Sequence, residues 1–212
     1  MYLYLETDGR VYTVRRNGIL DLPRVGEEIP FPYEILYELP WGEEGVALGV
    51  PRLSRHPREW ILKDEVPRRN DASPLLRDVV HRTLPRAVAE GIVERGDEIL
   101  LVKASRGLTR GLWSLPGGFL SFGESPEEAV AREIQEELRV PCRAGKLLGV
   151  RTKVGEHTGL HWIIFFLAVE LEGAPDPDPD EIAEARFFTK KEAARVLSDR
   201  TMAAFLEELF GS

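Results

Sequence analysis

Cysteine occurs once in the 212 residues, at Cys142, so neither an internal disulfide framework nor a multi-cysteine zinc site can form. Basic charge is also short. Lys and Arg number 28 against 36 Asp and Glu, a formal net charge of -8. Surfaces that wrap bulk nucleic acid or rest on an anionic membrane normally recruit basic patches, so this balance argues against both partners. A small phosphorylated ligand stays open, because a bound metal can reverse the local sign. Long hydrophobic runs are missing too: the longest, Trp162 to Val169, is far too short to span a bilayer. The opening "MYLYLETDGR" has acidic residues where a secretory leader would want a basic start and an apolar run. Gln135 is the only glutamine, asparagine appears only at Asn17 and Asn70, and arginine outnumbers lysine. That scarcity of thermolabile side chains fits a thermophile, and a GC-rich genome gives much of the same bias. The expectation is a cytoplasmic protein.

What is present is an ordinary globular composition, 43% hydrophobic and 30% charged, in a chain long enough for one large domain or two modest ones. As far as Ile61 the chain reads as short strands broken by turns. "YLYLETDGRVYTV" alternates around Asp8-Gly9 as a hairpin does. Pro23, Pro30, Pro32 and Pro40 keep any strands that follow short or at an edge. The polar stretch from Lys63 to Asp78 holds two prolines and reads as a connection. Residues 1–78 are therefore expected to be a small β-rich domain with its linker, and 79–212 a second domain. There, "AVAEGIVERGDEILLVKA" reads as two strands joined at Arg95-Gly96-Asp97, and "GLWSLPGGFL" as a loop. "KLLGVRTKV", "LHWIIFFLAVEL" and "ARFFT" read as strands, the second central and covered on both faces. "KKEAARVLSDRTMAAFLEELF" supplies one or two closing helices, so the class is α+β.

Between the loop and those strands lies a helix predicted from about Pro126 to Arg139. Ser125 is placed to cap it, Pro126 to start it and Glu128 to complete a capping box. Ala131, Ile134 and Leu138 recur on one face, which should pack inward. Glu133, Glu136 and Glu137 share another face, because steps of three and four bring side chains over one another. Like charges at this spacing weaken a helix. A solvated face would leave Arg132 to pair with Glu136 and water to absorb the rest. The alternative is a bound cation: clustered carboxylates beside a Gly-Gly loop with a free carbonyl are the hard-oxygen donors that Mg²⁺ or Mn²⁺ prefers.

From Gly118 the chain reads glycine, five residues, Glu124, seven residues, Arg132-Glu133-Ile134, one residue, Glu136-Glu137 and, three residues on, Val140. This resembles the Nudix box, G-x5-E-x7-R-E-U-x-E-E-x-G-U with U aliphatic. Eight of its nine defined positions match. Arg139 stands where the family has a glycine, which usually closes the helix in a left-handed conformation. A slightly different helix exit is therefore expected here.

The resemblance, which covers roughly Leu84 to Ser212, implies an α/β/α sandwich with a mixed sheet. It also implies a MutT-like, metal-dependent pyrophosphohydrolase that cleaves a nucleoside diphosphate linked to another group, with Mg²⁺ or Mn²⁺ as cofactor. Carried over by position, Glu133 and Glu137 are metal ligands, Glu136 a ligand or water holder, and the Gly117 carbonyl a further contact. Arg132 would hold the carboxylate array, and Glu124 would position the helix or a water. Glu181, six residues before Phe187, occupies the place where relatives often carry a catalytic or metal-binding glutamate, against a reading as a solvated loop carboxylate. Glu156 and His157 are weaker substrate candidates. Trp113 could stack on a base, although packing is the favoured role. The cysteine zinc ribbon and the "SQPWPFPxS" stretch of NADH diphosphatases are absent. No proline occurs between Cys142 and Ala174, where ADP-ribose enzymes often have one. ADP-ribose or a related nucleotide is slightly favoured as substrate, by family frequency alone. The rival readings are a non-catalytic nucleotide-sensing module and an RNA 5′-end pyrophosphohydrolase. The N-terminal region is expected to select substrate or to form a homodimer interface.

Overall fold

The computed structural model describes residues 1–107, 109–155 and 159–211. The chain divides into two compact units: Met1–Pro85 with Val154–His161, and Arg86–Lys153 with Trp162–Ser212.

The first unit is built from short strands. These are β1 (Tyr2–Thr7), β2 (Arg10–Val11), β3 (Val14–Arg16), β4 (Ile19–Asp21), β5 (Tyr33–Leu39), β6 (Val46–Pro51) and β7 (Ile61–Leu62). Five of them form a sheet in the order β5-β6-β1-β2-β7, and β3 pairs with β4. Asp8 and Gly9 both have positive φ, 50° and 66°, which is the turn geometry that a tight β1–β2 hairpin requires. The stretch from Lys63 to Asp78 is folded and does not serve as a connection. Lys63–Arg68 is a 3₁₀ turn, and helix α1 runs from Pro74 to Thr83 with Ser73 accepting a hydrogen bond from the Leu76 N–H. Polarity misleads there because only a stripe is apolar: Val66, Leu76, Val79 and Val80 pack with Tyr4, Val11 and Leu22.

The second unit contains β8 (Arg86–Arg95), β9 (Glu98–Ala104), β10 (Trp113–Ser114), β11 (Gly117–Phe119), helix α2 (Pro126–Leu138), β12 (Cys142–Val154), β13 (His161–Leu171), β14 (Ile182–Thr189), α3 (Lys190–Val196) and α4 (Arg200–Phe210). The sheet runs β10-β9-β8-β13-β12, with β11 added to β8 and β14 to β9. The parallel β8–β13 pair makes it mixed, and β13 lies inside as its apolar run requires. Trp113–Ser114 and Gly117–Phe119, expected to be loop, are short strands because each meets a partner, β9 and β8 respectively.

Alternation along β8 sets the layers. Val88 and Ile92, with Ile164 and Phe166 of β13, face Ala193, Met202, Phe205 and Leu206 of α3 and α4. Ala89 and Val93, with Leu167 and Val169, face Ala129, Val130, Ile134 and Leu138 of α2. The result is an α/β/α sandwich. Ile134 and Leu138 face inward as expected, while Ala131 is only half-buried and Val130 with Ala129 completes the inward stripe in its place. Among the described residues no helix is long and apolar enough to cross a membrane.

The exit of α2 is not altered by Arg139. This residue takes up the left-handed conformation itself, φ 49° and ψ 30°, and its guanidinium meets Asp178 at 3.0 Å. The proline-aspartate segment that follows β13 closes the helix end: the Asp176 and Asp178 N–H groups donate to the Leu138 and Glu137 carbonyls, each at 2.8 Å. Arg139→Gly should relieve about 1–2 kcal/mol of left-handed strain. It should lose a partly exposed ion pair worth up to about 1 kcal/mol, and glycine adds a similar entropic cost. Chemical denaturation should find that variant within ~1 kcal/mol of the parent, and Arg139→Ala, which keeps the strain but loses the pair, should be less stable than both.

Candidate active site

Arg132 organises the acidic face of α2. Its Nε donates to Glu124 Oε1 at 2.9 Å, Nη1 to Glu133 Oε1 at 2.8 Å and Glu136 Oε2 at 3.1 Å, and Nη2 to the Phe119 carbonyl at 2.9 Å and Glu124 Oε2 at 3.1 Å. One planar fork therefore ties the loop before the helix to two carboxylates on it, a geometry that lysine could not supply. Glu124 also accepts from the Ser121 N–H at 2.8 Å. Hydrogen bonding by Arg132 chiefly holds the Glu124 carboxyl down at about 2. Glu124 is thus a fixed anion. The capping box joins Ser125 and Glu128 as their spacing predicts, starting the helix where the array needs it.

Glu133 and Glu137 lie in a different environment. Burial raises the Glu133 carboxyl above its usual range, partly opposed by Arg132. Burial also pushes Glu137 up to about 8, against the hydrogen bond from the Gly117 N–H at 3.1 Å and with help from the charges of Glu133, Glu181 and Glu136. Glu181, from the segment that closes α2, is thus near enough to act on both. Its own carboxylate is paired with Arg106. The two glycines let the strand come close. A Cβ on Gly118 would stand 2.6 Å from the Glu133 carboxyl carbon, and one on Gly117 would stand 2.1 Å from the Ala89 carbonyl oxygen. Gly118→Ala should push the Glu133 carboxylate aside by roughly an ångström and cut turnover about 100-fold, with little change in melting temperature.

Sequence reasoning missed Glu90. It lies on β8 opposite Gly117 and is 6% exposed, and its Oε2 has no hydrogen-bond partner among the described residues. Burial, then the Glu137 charge, pushes its carboxyl well above the usual range. The signal was available, because a lone acid interrupts the apolar run "AVAEGIV". Trp113 stands edge-on to Phe188, with ring centroids 4.9 Å apart, and packs against the cluster beneath α3 and α4. Glu156 and His157 lie outside the described residues.

Among the described residues no three His, Cys, Asp or Glu side chains are gathered into a finished metal cage. Without a cation, Arg132 holds Glu133 and the Gly117 N–H holds Glu137. The donor set still fits a hard divalent ion: several carboxylates, two of them half-buried against their own charge, a glycine-lined edge, and an orphaned buried oxygen at Glu90.

The NUDIX domain model matches residues 84–209. The chain belongs to the Nudix family. It is 36% identical over 104 residues to an ADP-ribose pyrophosphatase of Methanocaldococcus jannaschii, covering 49% of this chain and 62% of that protein. It is 33% identical over 119 residues to the NAD-capped RNA hydrolase NudC of Pseudomonas putida, covering 56% and 42%. The chain therefore spans less than two thirds of the length of these relatives, 62% and 42%. A crystal structure of a MutT NUDIX hydrolase from Burkholderia pseudomallei superposes with a TM-score of 0.51 at 32% identity, over 58% of this chain and 97% of that one. The MutT protein of Methanosarcina mazei Go1 shares the fold, with a TM-score of 0.54 at 22% identity, over 60% of this chain and 94% of that one. Nudix hydrolases generally need divalent metal ions, and this chain keeps every acidic position of the box.

Proposed function

We propose that this Nudix protein is a divalent-metal-dependent pyrophosphohydrolase, cleaving a nucleoside diphosphate linked to a further group, with ADP-ribose or a related nucleotide as the favoured substrate. The observation that carries this reading is the Arg132 fork, which holds Glu124, Glu133 and Glu136 beside the Gly117–Gly118 edge, with Glu137 bonded to the same edge. A sensor of nucleotides would have no need of that complete array. Glu133, Glu136, Glu137 and the Gly117 carbonyl would hold Mg²⁺ or Mn²⁺, which neutralises diphosphate charge and makes water a stronger acid. Arg132 and Glu124 fix the carboxylates in place. Glu181, itself paired with Arg106, would take the proton as a water oxygen attacks phosphorus and the P–O–P bridge breaks. The products are a nucleoside monophosphate and a phosphorylated remainder.

Two observations bear on the substrate. The relatives named above include an ADP-ribose pyrophosphatase and NAD-capped RNA hydrolases, and both names share an adenosine diphosphate bonded to a ribose. The net charge of -8 favours the small-molecule form over a long RNA. The deciding experiment is hydrolysis of a panel at alkaline pH with Mg²⁺ or Mn²⁺: ADP-ribose, NADH, diadenosine polyphosphates, nucleotide sugars, nucleoside triphosphates and NAD-capped RNA. Cleavage of ADP-ribose or a close analogue is the expected result. Tight binding of one of these without metal-dependent turnover would replace the enzyme reading with the sensor.

A further inference from the structure

Glu90 has no task in the reaction as described above. Val88 and Ile92, two residues to either side of it, both belong to the apolar cluster beneath α3 and α4, so Glu90 leaves β8 on the side opposite α2. It neighbours the acidic face only through Gly117, its β11 partner, whose N–H bonds Glu137. Its strand partners are Gly117 and Phe166. The charged groups close enough to act on it are Glu137, Lys153 and Glu133. Lys153 offsets this only in part, because that ammonium is also bonded to Asp199, the cap of α4. A packing role does not account for this residue. A buried acid with an oxygen that no donor meets is unfavourable, and an aliphatic side chain would extend the cluster without that cost.

We propose that Glu90 is a further carboxylate of the divalent-cation site, reaching it from the sheet at Gly117 and offering its free Oε2 to the cation or to the cation's hydration shell. The inference rests on the metal reading of Glu133 and Glu137. It explains why the orphaned oxygen lies at the one strand position whose partner, Gly117, is also hydrogen-bonded to Glu137. It also explains how a small hard cation that takes six oxygens would be served from two elements, α2 and β8. Outer carboxylates of this kind orient a metal's ligands and tune its affinity.

The test is Mn²⁺ binding by the full chain, read from the free-ion electron paramagnetic resonance signal at pH 8, with no substrate present. Wild type is compared with Glu90→Gln, Glu90→Asp and Glu137→Gln. Glu90→Gln should bind Mn²⁺ about 10–100-fold more weakly, Glu90→Asp should recover most of the affinity, and Glu137→Gln should lose binding. Melting without metal shows whether each variant is folded. Wild-type affinity in Glu90→Gln, with Glu137→Gln silent, overturns the proposal. So does equal weakening in Glu90→Gln and Glu90→Asp that tracks a loss of melting temperature, which would mark a packing role. If wild type itself binds no Mn²⁺, the metal reading of the helix fails and takes this inference with it.

Discussion

Glu137→Gln should lower metal-dependent hydrolysis by a factor of about 10³ or more and, without metal, should make the protein more stable at alkaline pH. The two effects have one cause. Glu137 is held where its charge is unfavourable until a cation arrives: burial, with Glu133, Glu181 and Glu136 nearby, raises its carboxyl from 4.5 to about 8. At about 1.4 kcal/mol per pH unit, ionising it in the folded protein costs on the order of 5 kcal/mol. Glutamine occupies the same space and cannot ionise, so that cost disappears along with the ligand. Steady-state kinetics and thermal melting of the metal-free protein at pH 8.5 read the two halves separately. A variant that kept turnover would remove Glu137 from the site. One that lost turnover but was no more stable without metal would refute the electrostatic account.

Stability of the metal-free protein should fall as pH rises from about 5 to about 8, and the gain from Mg²⁺ or Mn²⁺ should grow over the same range. The sign follows from the folded-state shifts. Glu137 and Glu133 are both raised above their ordinary values, so their contribution is fully present below the unfolded value near 4.5. It is lost as pH climbs through about 8 for Glu137. Glu124 opposes this weakly, since it is lowered to about 2 and its contribution is already complete above the unfolded value. A cation competes with protons for the same oxygens, so binding tightens as they leave. At a hundredfold excess over Kd the metal adds about 2.7 kcal/mol. Melting curves at pH 5.5 and 8.5, with and without metal, should show the larger upward shift at pH 8.5. Equal shifts at both pH values would mean that the cation binds away from the buried glutamates.

Much of this site was legible because its chemistry is local in sequence. The capping box, the spacing of Glu133, Glu136 and Glu137, and the placing of Arg132 among them all depend on a helical repeat that one turn of chain fixes. The hairpins at Asp8-Gly9 and Arg95-Gly96-Asp97 could be read for the same reason. Where the reading failed, the missing information was a distant partner. Trp113–Ser114 and Gly117–Phe119 become strands only because β9 and β8 offer free edges. The run from Lys63 to Asp78 joins a core because a few apolar side chains find Tyr4 and Leu22. Arg139 could be seen as a departure, but its ion pair with Asp178 depends on where β13 returns the chain.

By itself, then, the sequence determined which residues carry charge, at what helical interval, and in what family. The tertiary structure decided what those charges experience. Glu124 and Glu137 are the same chemical group thirteen positions apart, one held down at about 2 by a guanidinium and the other pushed up to about 8 by burial. Glu90 joins them only because β8 lies against β11. Desolvation depends on everything packed around a group, and most of that comes from residues far away along the chain.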